Sequence, residues 1–265
     1  MRTDRRYGWT RDLPDHRDLV RAPASAALAN LPAKVDLRGP YMPDVYNQLG
    51  IGSCTSNAIA AAVEFALRRQ KLADFMPSRL FVYYNERAAE GSVGSDAGAQ
   101  IRDGIASVAR QGVCPESMWP YDGTAARSDG TWPAGHRAAL RPTEACYRAA
   151  KQTEAIRYER VVQELAHLKA CLAAGEPFVF GFTVCASFES EQVAATGEAQ
   201  LPGPGEQVLG GHAVLATGYD DDRQRFLVHN SWGTEWGMDG YFTMPYAYLA
   251  NNRLASDMWA VTLVS

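Results

Sequence analysis

No apolar run in these 265 residues approaches the roughly 20 needed to cross a bilayer, so no segment reads as a membrane span. Cysteine is scarce and odd in number: the five, at 54, 114, 146, 171 and 185, include no Cys-x-x-Cys pair. That argues against a disulfide framework and against a zinc knuckle. Charge of neither sign dominates, since 26 basic against 30 acidic residues leave a net charge of -4 and no electrostatic case for nucleic acid or anionic lipid. Phosphate-loop and dinucleotide signatures are absent too: no GKS or GKT occurs, and "GIGSCT" lacks the last glycine of a GxGxxG. The His-Glu-x-x-His string of metal hydrolases is missing, and no metal or cofactor is expected. The opening "MRTDRRYGWTRDLPDHRDLVRAP" is charged where an export signal is apolar, which makes cytoplasmic residence the expectation, with secretion by another route left open.

What is present reads as one large globular unit. With 46% hydrophobic and 21% charged residues the composition is ordinary, and the length sits where a single core stops growing. One domain of two lobes is expected, as a monomer. Residues 1–30 differ in texture: six Arg and four Asp alternate with a few aromatics, as in an arm laid on a surface, with Tyr7, Trp9 and Leu13 as its anchors.

After Cys54, the apolar residues Ile59, Ala62, Val63, Ala66 and Leu67 follow the spacing of a helix with one buried face. Arg68, Arg69 and Lys71 sit at its far end, where the helix dipole favours cations, and Ser53 stands in capping position. Cys54 is thereby placed at a helix N-terminus, a setting that stabilises a thiolate. A second helical pattern runs from Ser78 through Arg87, and a third uses Ile101, Ile105 and Val108 before Gly112; the glycine-rich "EGSVGSDAGAQ" between them reads as irregular. The second half changes character. After a helix near 162–174, "PFVFGFTVC", "HAVLATGY", "RFLVHNSW", "GYFTM" and "DMWAVTLV" read as antiparallel strands, with Asp220 to Asp222 in a hairpin turn.

Four residues carry chemistry. A thiol is a poor nucleophile until an imidazole takes its proton, and Cys54 in "GSC" has two small neighbours that leave room for a carbonyl. His212 follows two glycines, and Asn230 has an amide oxygen that can hold one ring nitrogen without adding charge. Gln48 offers an amide donor for an oxyanion, and Trp232 can shield the His212–Asn230 bond from water. Singly, each has a plain structural reading: buried packing thiol, core histidine, satisfied amide, core tryptophan.

Together the Gln48, Gly52-Ser53-Cys54, Gly211-His212-Ala213 and "NSWGTEWGMDGY" strings resemble the papain-like cysteine peptidases, short bacterial members in particular. "LPAKVDLRGP" resembles the mature N-terminus of that family and "VCPESMWPY" its mid-lobe turn. The resemblance implies an α+β, papain-like two-lobed fold: a helical left lobe, about 44–142, faces an antiparallel β-barrel-like right lobe, about 31–43 plus 143–265, across an active-site cleft. Residues 1–30 would then be a pro-segment-like arm that sits in the cleft and keeps the enzyme latent. It further implies an endopeptidase acting on polypeptides, with Cys54 as nucleophile, His212 as base and then acid, Asn230 as orienter and Gln48 in the oxyanion hole. Ala97, Gly98, Gln100, Gly210 and Gly211 would border the substrate. This chain departs from the pattern at Ile51 and Thr55, where the family carries a cysteine and a tryptophan, so one family disulfide is lost. The interval from Cys54 to His212 is also long, and "VAATGEAQLPGPGE" is its expected insertion. Two other readings stay open: a different acyl transfer, such as amidase or transpeptidase chemistry, and a silent protein that only holds peptides.

Overall fold

A computed structural model describes residues 6–72, 74–153 and 156–263. The strands in them are β1 (Trp9–Thr10), β2 (Val20–Arg21), β3 (Lys34–Asp36), β4 (Ala99–Gln100), β5 (Ile156–Val161), β6 (Phe178–Cys185), β7 (Val208–Asp220), β8 (Arg225–His229), β9 (Tyr241–Pro245) and β10 (Ala255–Leu263). The larger sheet has the order β2-β5-β10-β6-β7-β8-β9, with β3 also paired to β7, and only β2 on β5 is parallel. β1 and β4 form a separate parallel pair. Three longer helices, Cys54–Arg69, Arg79–Glu90 and Ile101–Gln111, all precede the long strands, and the architecture is α+β.

The Cys54–Arg69 helix departs from the amphipathic expectation, because every residue from Cys54 to Leu67 is buried. Its alanines (58, 60, 61, 62 and 66) explain how: side chains of one carbon let neighbours approach from all sides, so the helix forms a central post. Arg68 and Arg69 do lie in its last turn, while Lys71 lies beyond the helix. Ser53 precedes the helix without capping it; its hydroxyl pairs with the Tyr121 hydroxyl at 2.6 Å and accepts from Asn57 Nδ2 at 3.0 Å. The next helix is capped as its sequence suggests, with Ser78 Oγ accepting the Phe81 N–H at 3.2 Å.

β6 and β7 run side by side through the second apolar cluster, where Phe178, Phe180, Phe182, Phe226 and Phe242 are fully buried. Burying one such ring stabilises the fold by about 1.5–3 kcal/mol, so this group anchors the sheet. Asp221 to Gln224 form the turn between β7 and β8. Elements with little local signal that fall outside the sequence expectations include β4, β5 and the Glu144–Ala150 helix. All five cysteines are free and buried.

Candidate active site

Cys54 opens the central helix and has no exposed surface. The backbone N–H groups of Ala213, Gly8 and Thr55 face its sulfur. Ala213 is the residue after His212 on β7, so the helix start and the strand bring thiol and imidazole residues to one place. His212 Nε2 donates to Asn230 Oδ1 at 2.8 Å, and that oxygen also accepts the Ser231 N–H at 2.9 Å. The second donor identifies the atom as oxygen, which fixes the ring proton on Nε2. Trp232 stacks on the imidazole, with centroids 4.7 Å apart and planes at 23°, and Phe182 meets it edge-on at 5.7 Å. Trp236 packs behind Trp232 at 4.9 Å. The His212–Asn230 bond is thus roofed by aromatic rings.

Gln48 lies opposite, buried, with Oε1 accepting from Ser231 Oγ at 2.7 Å and Nε2 donating to Ile51 O at 3.0 Å. A second contact runs from the same Nε2 to the carbonyl of Arg6 at 3.3 Å. Ser231 has no place in the sequence reading as a site residue, although its position between Asn230 and Trp232 is the signal that could have found it.

Arg6 belongs to the N-terminal arm, which fills the groove over these residues. Ala99 N–H donates to the Gly8 carbonyl at 2.7 Å, and Trp9 pairs with Ala99 and Thr10 with Gln100. A Cβ on Gly8 would lie 1.6 Å from the Gly52 carbonyl oxygen, and one on Gly98, whose φ is +71°, would lie 2.1 Å from the Gly8 carbonyl oxygen. Both positions therefore need glycine for this approach. Gly210 abuts Tyr7, Gly211 abuts Trp9, and Gln100 Oε1 accepts the Leu13 N–H at 3.0 Å. Four of the five residues expected to border a substrate thus line the arm's bed, while Ala97 is exposed beside Gly98.

Trp9 is one of the arm's buried residues. Its ring occupies the space that a side chain on Gly181 would need, and its Nε1 donates to the buried Asp257 Oδ2 at 3.2 Å. Tyr7 OH donates to Glu189 Oε1 at 2.5 Å. Leu13 does not anchor the arm, being 70% exposed; Asp12 does, with its N–H on Asp257 Oδ2 at 2.9 Å and its carboxylate on Trp259 Nε1 at 2.8 Å. A buried aspartate and its partners lie 245 residues apart in sequence, so no local pattern betrays them. Further along, β2 extends the sheet, and Arg21 is ion-paired with Glu159 and Glu176.

Burial opposes the thiolate expected from the place of Cys54 at a helix start. Burial pushes the Cys54 thiol up to about 12, outweighing the three N–H groups that favour its charged form. Burial in this position favours the neutral thiol over its charged form.

The family model of papain family cysteine proteases matches residues 31–261. An uncharacterized peptidase C1-like protein of Acanthamoeba polyphaga mimivirus is 39% identical over 98% of this chain and 88% of its own length. Bovine pro-cathepsin H is 26% identical over 90% of this chain and 66% of its own. Among solved structures, xylellain, a cysteine protease from Xylella fastidiosa, matches with 46% identity and a TM-score of 0.94, covering 100% of this chain and 98% of that one. The two-lobed α+β architecture, the thiol at the head of the central helix and these matches lead to one conclusion: the chain belongs to the papain family of cysteine peptidases, hydrolases that act on polypeptides.

Proposed function

We propose that the protein is an endopeptidase that cleaves peptide bonds through an acyl-enzyme on Cys54 and is held latent by its own arm. His212 Nδ1 takes the thiol proton, since the other ring nitrogen is committed to Asn230. The sulfur then attacks the scissile carbonyl, and His212 returns the proton to the leaving amine; water attacks the thioester in a second cycle. Gln48 Nε2 and the Cys54 backbone N–H stabilise the oxyanion. Trp232 keeps water from the His212–Asn230 bond. Ala97, Gly98, Gln100, Gly210 and Gly211 border the bound peptide.

The observation that carries this reading is the Gln48 contact. Its Nε2 already donates to a peptide carbonyl, that of Arg6, while Gly8, two residues on in the same arm, faces the sulfur with its backbone N–H. Latency then has two parts: the arm fills the peptide groove, and by excluding water it keeps the thiol protonated.

Comparing peptide hydrolysis by the full chain and by a chain beginning at Leu13 decides the latency question. Faster turnover by the shorter chain is expected; equal rates would remove the arm from the account. Beginning at Leu13 keeps β2 in the sheet, so a loss of fold does not obscure the result. Product analysis with an added amine separates hydrolysis from transpeptidation.

A further inference from the structure

We propose that Cys114 and Cys146 are a disulfide site: when the chain folds in the presence of a disulfide oxidant, their sulfurs bond and tie together the two ends of the irregular segment between them. The proposal does not rest on the peptidase reading above.

The two thiols come from separate pieces of the chain. Cys114 lies just past the Ile101–Gln111 helix, and Cys146 sits in the first turn of the Glu144–Ala150 helix. Ser78 and one peptide unit locate both. Ser78 Oγ donates to the Trp119 carbonyl at 2.7 Å and meets the Cys114 thiol, while Cys146 Sγ lies 3.7 Å from the adjoining Met118 carbonyl and 3.2 Å from Thr143 Oγ1. The Ser78 N–H is bound to the Cys114 carbonyl at 2.8 Å, which fixes that backbone beside the same group. Both side chains thus converge at Met118–Trp119, where the two thiols are hydrogen-bonded to each other. They belong to the core cluster around the central helix, with 0% and 1% of their surface exposed.

The bracketed segment has little regular structure to hold it. From Val113 to His136 it carries no helix and only isolated bridges. Its contacts nonetheless reach the site: Tyr121 OH donates to the Gln48 carbonyl at 2.9 Å and lies 2.6 Å from Ser53 Oγ, beside the nucleophile. Glu116 accepts the Tyr121 N–H at 3.1 Å and the Arg79 guanidinium at 2.7 Å. A bond from Cys114 to Cys146 closes this long loop in the unfolded chain, where its freedom is greatest.

The bond is acquired during folding. Burial, with Cys146 as neighbour, holds the Cys114 thiol well above its ordinary range, so in the finished fold it is a poor nucleophile. In the unfolded chain a cysteine returns to about 8.5. One thiolate then attacks a small disulfide such as glutathione disulfide and releases one glutathione; the second thiolate displaces the other from the mixed disulfide as folding brings the pair together. Two protein thiols are oxidised, one small disulfide is reduced to two thiols, and the two protein protons pass to the thiolates released. In a reducing medium the site remains a pair of thiols, as in this structure.

Refolding the urea-denatured full chain in a glutathione redox buffer tests this. Unpaired cysteines are blocked with iodoacetamide in denaturant, and the unreduced digest is read by mass spectrometry. The proposal requires the peptides joined through Cys114 and Cys146 to exceed every other cysteine pairing. It also requires the oxidised chain to melt about 7–15 °C above the same chain treated with dithiothreitol, the effect of closing a loop of this length. Cys146→Ala taken through the same steps should show no such gain; if it fails to fold, Cys114→Ala takes its place. Absence of the linked peptides, predominance of another pair, a midpoint that does not rise on oxidation, or a rise that survives in the variant overturns the proposal. A linked and stabilised chain that hydrolyses no peptide leaves the disulfide standing and removes the peptidase reading.

Discussion

The backbones of Gly8 and Gly52 are so close that a single methyl on Gly8 would lie 1.6 Å from the Gly52 carbonyl oxygen. Gly52 is two residues before the thiol, so the tightest approach of the arm falls on the segment that carries the nucleophile. The Gly52 N–H is itself held by both oxygens of Asp96 at 3.0 Å, which leaves it little room to give way.

Gly8→Ala is therefore expected to free the cleft. Overpacking costs about 1–3 kcal/mol, which corresponds to a roughly 5- to 150-fold weaker docking of the arm. Alkylation of Cys54 by a thiol-directed epoxide should accelerate within that range while thermal unfolding of the body stays put. An unchanged alkylation rate would place the arm elsewhere in solution.

Under the proposed mechanism, Gln48→Ala removes one of the two oxyanion donors. The loss is worth about 2.7–4 kcal/mol in the barrier, or roughly 10² to 10³ in kcat, without abolishing turnover. Ser231→Ala tests the support behind it, since Ser231 Oγ holds Gln48 Oε1 at 2.7 Å. A smaller fall in kcat with little change in KM is expected there; a change confined to KM would speak against oxyanion positioning.

Asn230→Ala takes away the acceptor that aims the imidazole. A hydrogen bond to a group that becomes charged is worth about 1.5–3 kcal/mol, so kcat should drop roughly ten- to a hundredfold. Asn230→Asp keeps an acceptor at the same place and should recover much of the rate; equal damage from both variants would assign Asn230 a packing role.

His229 gives a pH signature separate from the site. It is buried, packed edge-on against Tyr241 at 5.0 Å, and burial lowers its pKa from 6.5 to about 4. Its contribution to stability is complete above pH 6.5 and lost as pH falls toward 4, because the unfolded chain takes up the proton first. Between pH 7 and pH 5 the loss is about 2 kcal/mol. Denaturant midpoints should show that slope, and His229→Gln should flatten it.

Much of this is legible in the sequence itself. The Cys54 helix, the strands around His212 and Asn230 and the hairpin at Asp221 follow from local periodicity and turn chemistry, and the Gly-Ser-Cys and Asn-Ser-Trp strings locate the chemistry. Three things are not legible. The all-round burial of the central helix depends on what packs against its alanines, which periodicity does not record. β5 and β4 are short or charged and exist because neighbours pair with them. The Asp12–Asp257 contact joins the arm to a residue far along the chain; the sequence reading anchors the arm on Leu13, whereas the structure buries Asp12.

The most direct test of the account is the pH dependence of Cys54 alkylation in the full chain beside that of Gly8→Ala, with the labelled residue identified by mass spectrometry. The account requires slow labelling of the full chain at pH 7, far faster labelling of Gly8→Ala on Cys54 alone, and peptide hydrolysis that rises with it and disappears in Gly8→Ala/Cys54→Ala. Label on another cysteine, or hydrolysis that persists without Cys54, would contradict it.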